Sequence, residues 1–220
     1  MGRKIPEHLD DPIDNILYRF CDLLSPAFKA TNHTPNLITT YSLITGILSC
    51  YFLYNGRIEL FISLYFISYF FDCFDGYFAR RYKMTSKFGD IYDHAKDTVV
   101  SILLLVVVFL RYRVTFPNLL IMVILFILFT VHMGCQQKYY KQEKKENKEK
   151  NEEKKENKEN NENKENNENK EKKEENETID AYEVMCKDSK YLRYTRFFGP
   201  GMLTLFTIGM IMWVWYNNKK

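Results

Sequence analysis

The chain has 220 residues, 46% of them hydrophobic and 16% aromatic, and its 31 basic and 28 acidic side chains leave a net charge of +3. One segment distorts these averages: residues 141–177 hold 12 Lys, 14 Glu, 10 Asn and one Gln, with no apolar residue. The remainder carries 19 basic and 14 acidic side chains and is roughly 55% apolar, far above the soluble average, which argues against a soluble enzyme, a disulfide scaffold and a nucleic-acid binder.

Met1 to Pro12 is polar and lacks the apolar core of a cleaved signal peptide. From Asp11 to Phe28, Ile13, Ile16, Leu17, Phe20, Leu23 and Leu24 recur at helical spacing, with Asp14, Asn15, Arg19 and Asp22 between them. This predicts an amphipathic helix, lying on a membrane or docked against a bundle. Five apolar stretches follow. The first, Leu37 to Tyr54, has the helix-start signal Thr34-Pro35-Asn36 before it and the turn Asn55-Gly56-Arg57 after it. The second runs from Ile58 to Phe71 and continues into Asp72. The third, Val99 to Leu110, reaches spanning length only if its helix begins near Asp93 and includes Asp97. The fourth is Leu119 to Met133, and the last, Phe197 to Tyr216, is interrupted by Gly199-Pro200-Gly201. A span needs about 20 mainly apolar residues, and all five fit with some polar ends. The fold class is therefore all-α, a polytopic membrane helix bundle with five recognisable spans and an N-terminal amphipathic helix.

Three regions follow: 1–140 with four spans, a charged insert at 141–177, and 178–220 with the last span. The insert cannot bury enough surface to offset chain entropy and reads as a disordered loop, its Lys/Glu spacing permitting transient helix. The five cysteines (Cys21, Cys50, Cys73, Cys135, Cys186) are scattered without a C-x-x-C pair, so neither a zinc site nor a disulfide framework is signalled. Arg80, Arg81, Lys83 and Lys87 after the second span place residues 80–96 in the cytosol by the positive-inside rule, together with the N-terminus and the insert. Arg111 and Arg113 are mildly discordant. The sequons at Asn32 and Asn176 then face the cytosol and stay unused.

The chemistry is concentrated in one stretch. Asp72 and Asp75 are i,i+3 at the end of one apolar helix, and Asp93 and Asp97 are i,i+4 at the start of the next. Each pair shares a helix face, and antiparallel neighbours bring the pairs together. Four carboxylates in one place repel unless a cation lies among them. Acids entering a span are costly and point to function. Oxygen-only donors favour Mg²⁺ or Mn²⁺, commonly shared with a substrate phosphate. The structural alternative is that these acids only pair with Arg80, Arg81, Lys87 and Lys96; four acids at this spacing favour the site. Gly76 and Ala79 would let a phosphate or ring approach the backbone, and Arg80 offers a fork for phosphate oxygens.

The pattern Asp72-x2-Asp75-Gly76-x2-Ala79-Arg80-x8-Gly89-x3-Asp93-x3-Asp97 resembles the full signature of the CDP-alcohol phosphotransferase family, with a likeness over about residues 34 to 112 that includes Thr34-Pro35-Asn36-Leu37-Ile38-Thr39. The resemblance implies a helical membrane enzyme in which an acceptor hydroxyl attacks the β-phosphorus of a CDP-linked donor and CMP leaves. It further implies Asp72, Asp75, Asp93 and Asp97 as ligands of one or two divalent metals, and Asp97 as the general base. Gly76, Ala79, Arg80 and Gly89 would line the CDP site. A homodimer, and in a eukaryote the endoplasmic reticulum, are also implied. Family members commonly have six spans, against five here. Asp72-Cys73-Phe74-Asp75-Gly76, Lys87-Phe88-Gly89 and, faintly, Tyr191-Leu192-Arg193-Tyr194 look similar to phosphatidylinositol synthases. Tyr92-Asp93-His94 looks similar to choline and ethanolamine phosphotransferases. CDP-diacylglycerol with a polyol such as inositol is the favoured pair. A membrane prenyltransferase would need a second Asp-rich motif after Asp97, and Asp180 and Asp188 lack that spacing. A non-catalytic scaffold with the insert as binding arm would not need all eight signature positions.

Overall fold

A computed structural model of the protein describes residues 2–3, 5–156, 186 and 189–219. Among these the chain is all-α, without a strand. The helices are α1 (Pro12–Ala30), α2 (Pro35–Tyr54), α3 (Ile58–Arg81), α4 (Lys87–Arg111), α5 (Phe116–Glu156) and, after short helical turns over 189–198, α6 (Pro200–Lys219).

Local chemistry sets the helix starts. Asp11 opens α1 by accepting from the Ile13 amide at 2.7 Å, with Pro12 in the first turn, where no donor is lost. Thr34 caps α2 through the Leu37 amide, again ahead of a proline. Ser86 caps α4 through the Gly89 amide at 3.0 Å. Gly56, at φ 74°, makes the left-handed turn between α2 and α3 that a side chain would strain. Pro26 inside α1 removes the donor for the Asp22 carbonyl. Arg81 approaches that carbonyl at 3.4 Å and also pairs with the Asp22 carboxylate.

The centre of the bundle is the α2–α3 hairpin with α4 against α2. Ser42 and Ser68 exchange hydroxyl-to-carbonyl bonds of 2.8 Å across the hairpin. A Cβ on Gly46 would lie 2.9 Å from both Ser68 Oγ and a Val100 methyl. Small residues therefore let three backbones approach closely, the packing mode membrane helices use. Toward the α2–α3 turn an apolar cluster joins Cys50, Leu53, Phe61, Leu104, Val108 and Val214. At the opposite end Cys21 and Ile38 pack with Phe74, Tyr77 and Phe78.

α1 presents two different stripes. Asp14, Leu17, Cys21 and Ser25 are buried, whereas Ile16, Phe20 and Leu23 face outward at 52%, 53% and 74% exposure. Ile16, Phe20 and Leu23 thus form an unshielded stripe suited to a lipid interface, while Leu17, Tyr18, Leu24 and Phe28 pack inward beside the small and polar residues. Among the described residues three helical stretches are long and apolar enough to cross a membrane: Pro35–Tyr54, Phe116–Glu143 and Leu192–Asn218. α3 and α4, of 24 and 25 residues, are equally long but carry charged ends.

Two differences from the sequence reading concern the C-terminal third. α5 continues without a break through residues 141–156; the rest of the insert, with Asn176, lies outside the described residues. Cys135 and Cys186 form a disulfide, with Cα atoms 5.1 Å apart, correcting the expectation that no bridge is present. The two cysteines are 51 residues apart, and no local spacing marks them. The other three cysteines are free thiols on helices. The bridge joins Ile5 and Leu192 in a small buried cluster, so the N-terminal segment, α5 and the turns before α6 pack together.

Candidate active site

α3 and α4 are joined by Tyr82–Ser86 and both pack on α2, which holds Asp75 through Thr39 and meets α4 where Thr40 bonds Tyr92. This brings Asp72, Asp75, Asp93 and Asp97 to one place, beyond the apolar stretches 58–71 and 99–110. Lys96 lies in their midst. Its Nζ is 2.6 Å from Asp97 Oδ1 and 3.2 Å from Asp93 Oδ1, and it also bonds Asp72 Oδ1. Its side chain is only 2% exposed. The cationic partner that the sequence reading set aside is thus present for three of the four acids. Asp75 is held differently, accepting from the Thr39 hydroxyl on α2 at 2.5 Å.

Asp93 Oδ1 is buried without a hydrogen bond; its separation from Lys96 is an ion-pair distance without hydrogen-bond alignment. Asp93, His94 and Asp97 each offer a ligand atom within 4.8 Å of the others. An orphaned buried oxygen within an oxygen-rich donor set fits a hard divalent cation.

Two cavities meet at Asp72. One, of about 180 Å³, is bordered by Asp72, Asp75, Gly76, Arg80 and Asp93, with Asp10, Asp14 and Tyr18 across from them. The other, of about 70 Å³, is bordered by Asp72, Lys96 and Asp97 together with the hydroxyls of Ser42, Tyr65, Ser68, Tyr69, Ser101 and Thr204. Of the residues assigned to the CDP site, Gly76 and Arg80 border the larger cavity. Ala79, one turn after Gly76, is half-buried and its carbonyl accepts from the Met84 amide. Gly89 sits against α2, where a Cβ would be 3.1 Å from Asn36 Oδ1. Neither borders the cavity. Arg80 is not free: its Nε donates to the Gly2 carbonyl at 2.7 Å.

The sequence reading missed a second acidic group. Asp10, Asp11 and Asp14 are all buried. Asp11 accepts from Ile13 N on α1 and from Met202 N on α6, at 2.7 and 2.9 Å. Asp14 accepts from the Tyr69 hydroxyl. Burial, helped by Asp11, lifts Asp14 to about 8, and burial lifts Asp10 to about 6. The Asp11-Pro12 pair signals a helix cap; its second helix has no local signal. Asp90 is exposed in the first turn of α4, a solvated residue at a helix start. His132 is buried, with one ring nitrogen 3.3 Å from the Thr195 hydroxyl and the other without a partner. Arg196 donates to the His8 carbonyl at 3.0 Å.

No curated protein and no solved structure matches the chain. A family model described as CDP-alcohol phosphatidyltransferase matches residues 32–152, more than half of the chain and including every signature position. The protein belongs to the CDP-alcohol phosphatidyltransferase family, whose members transfer a phosphate group from a CDP-alcohol in lipid synthesis.

Proposed function

We propose that the protein is a membrane enzyme that transfers the phosphatidyl group of CDP-diacylglycerol to a small polyol, with inositol as the favoured acceptor, releasing CMP. The observation that carries this reading is the meeting of two unlike cavities at Asp72. The larger, with Gly76 and Arg80, suits the CDP diphosphate: glycine permits close backbone approach and the guanidinium provides two donors. The smaller, lined with hydroxyls, suits a hydroxylated acceptor and opens on Asp97.

Asp97 is the base. Its carboxylate takes the proton of the acceptor hydroxyl as that oxygen forms its bond to the β-phosphorus. The bond to the bridging oxygen breaks, and CMP departs with the electron pair. Arg80 holds the diphosphate once it exchanges the Gly2 carbonyl for phosphate oxygens. Thr39 keeps Asp75 oriented toward the donor. Asp72, Asp75, Asp93 and Asp97 would hold Mg²⁺ or Mn²⁺, which when bound neutralises the diphosphate and its leaving group. Ala79 and Gly89 support the CDP site through helix packing. The protein works as a multi-pass membrane enzyme with its site facing the cytosol, on the endoplasmic reticulum in a eukaryote, and as a homodimer.

A second reading, transfer of a CDP-aminoalcohol to diacylglycerol, draws on His94 beside Asp93 and Asp97. Purified protein in detergent with Mn²⁺ separates the two. CMP release is measured with CDP-diacylglycerol plus inositol, serine or glycerol 3-phosphate, and with CDP-choline or CDP-ethanolamine plus diacylglycerol. Release with inositol supports the reading. Release only with a CDP-aminoalcohol replaces it with the second.

A further inference from the structure

The signature fixes residues 93 and 97 and leaves the three between them open, yet the lysine at position 96 stands at the centre of the site. Its Nζ lies within 3.2 Å of carboxylates from Asp72, Asp93 and Asp97. An ammonium has three donors, and here three carboxylates surround it. With its side chain 2% exposed, the charge has no water to fall back on. The helix dictates this placement: Lys96 is one turn from Asp93 on α4 and adjacent to Asp97, and α3 supplies Asp72.

From this geometry we infer that Lys96 is a resident counter-ion that keeps the acidic site assembled before a metal arrives and competes with the metal for the same oxygens. This rests on the metal-binding reading of the four acids given above. Four bare carboxylates would force α3 and α4 apart, whereas one ammonium offsets part of that repulsion. A divalent ion that uses Asp72, Asp93 or Asp97 must displace the ammonium, and the flexible four-carbon stem lets it withdraw. The cost is metal affinity: the protein binds its ion more weakly than the carboxylates alone would.

The test is Mn²⁺ binding to the full-length protein in detergent, without substrates, followed by calorimetry and by the loss of the free-ion electron paramagnetic resonance signal. Lys96→Met should bind Mn²⁺ at least about tenfold more tightly, or bind one more ion, than wild type. Lys96→Arg, which keeps a cation, should stay near wild type. Lys96→Met should also melt lower in EDTA and regain that loss in Mn²⁺. Should Lys96→Met not fold without metal, purification in Mn²⁺ but not in Na⁺ at equal ionic strength should recover it, and failure in both would overturn the inference. Affinity and stoichiometry unchanged within about twofold in a folded Lys96→Met would likewise overturn it. Wild type that binds no Mn²⁺ would instead defeat the metal reading itself, so the two failures are distinguishable.

Discussion

The protein gathers two groups of aspartates on one cavity and makes each tolerable by a different device. Around Lys96, Asp72, Asp93 and Asp97 share one mobile charge on a flexible stem. At the N-terminal junction Asp11 is fixed by backbone amides at the starts of two helices, α1 and α6, and Asp14 by a tyrosine hydroxyl. Amides at helix N-termini are permanent partners whose dipoles favour an anion. An ammonium can be exchanged for another cation. The difference separates acids that bind from acids that build, and substitution should pull the two groups in opposite directions.

The largest effect is expected at the exchangeable group. Asp93→Asn should lower CMP release at least about 100-fold and abolish tight Mn²⁺ binding. Its melting temperature in EDTA should hold or rise, because one of the carboxylates crowded around Lys96 has lost its charge. A stability loss with retained activity would merge the two groups. Asp11→Ala should do the reverse. Losing a cap on two helices, at about 1 kcal/mol each, should lower thermal stability by about 2 kcal/mol, with Asn restoring most of it and Mn²⁺ affinity unchanged. Gly201→Ala probes the same junction from the other side. Its Cβ would lie 2.7 Å from Ile13 Cβ and 2.8 Å from Asp14 Oδ1, and a melt should show a loss of about 1–3 kcal/mol from overpacking.

The same junction should also carry a pH slope. Burial and the nearby Asp11 lift the folded-state pKa of Asp14 to about 8, from 3.8. Between those values the unfolded chain is ionised at this position and the folded chain is not. Raising the pH therefore favours unfolding across that window, and the slope ends above about 8. Melting temperatures measured from pH 6 to 8.5 should fall in wild type and fall less in Asp14→Asn. Equal slopes would remove Asp14 from the account.

What the sequence made legible was local. Apolar stretches and proline-headed starts such as Thr34-Pro35 gave the helices, because capping and hydrophobic period act within a turn or two. The acid pairs were legible for the same reason: i,i+3 and i,i+4 spacing fixes a common face, although it is packing of both helices on α2 that brings one pair to the other. Lys96 was within reach of the same geometry, one turn from Asp93, but its charge was weighed as an alternative to the site rather than as part of it. The junction was not legible. Asp11 meets Met202 across 191 positions, and Cys135 meets Cys186 across an insert whose composition says nothing of where its ends return. In α1 the apolar stripe was visible, but helical period alone does not tell a lipid-facing stripe from a docking one. Burial splits that stripe, with Leu17 and Leu24 packing inward and Ile16, Phe20 and Leu23 facing outward.

The central claim, that the carboxylates around Lys96 are the reaction centre, is tested most directly by CMP release from wild type and Asp97→Asn side by side in Mn²⁺, with both proteins shown by melting to be folded. The account predicts release from wild type with one donor and acceptor pair, and a fall of about 10²–10⁴-fold in Asp97→Asn without loss of fold. Activity retained in Asp97→Asn, or a folded wild type silent with every pair, would contradict it.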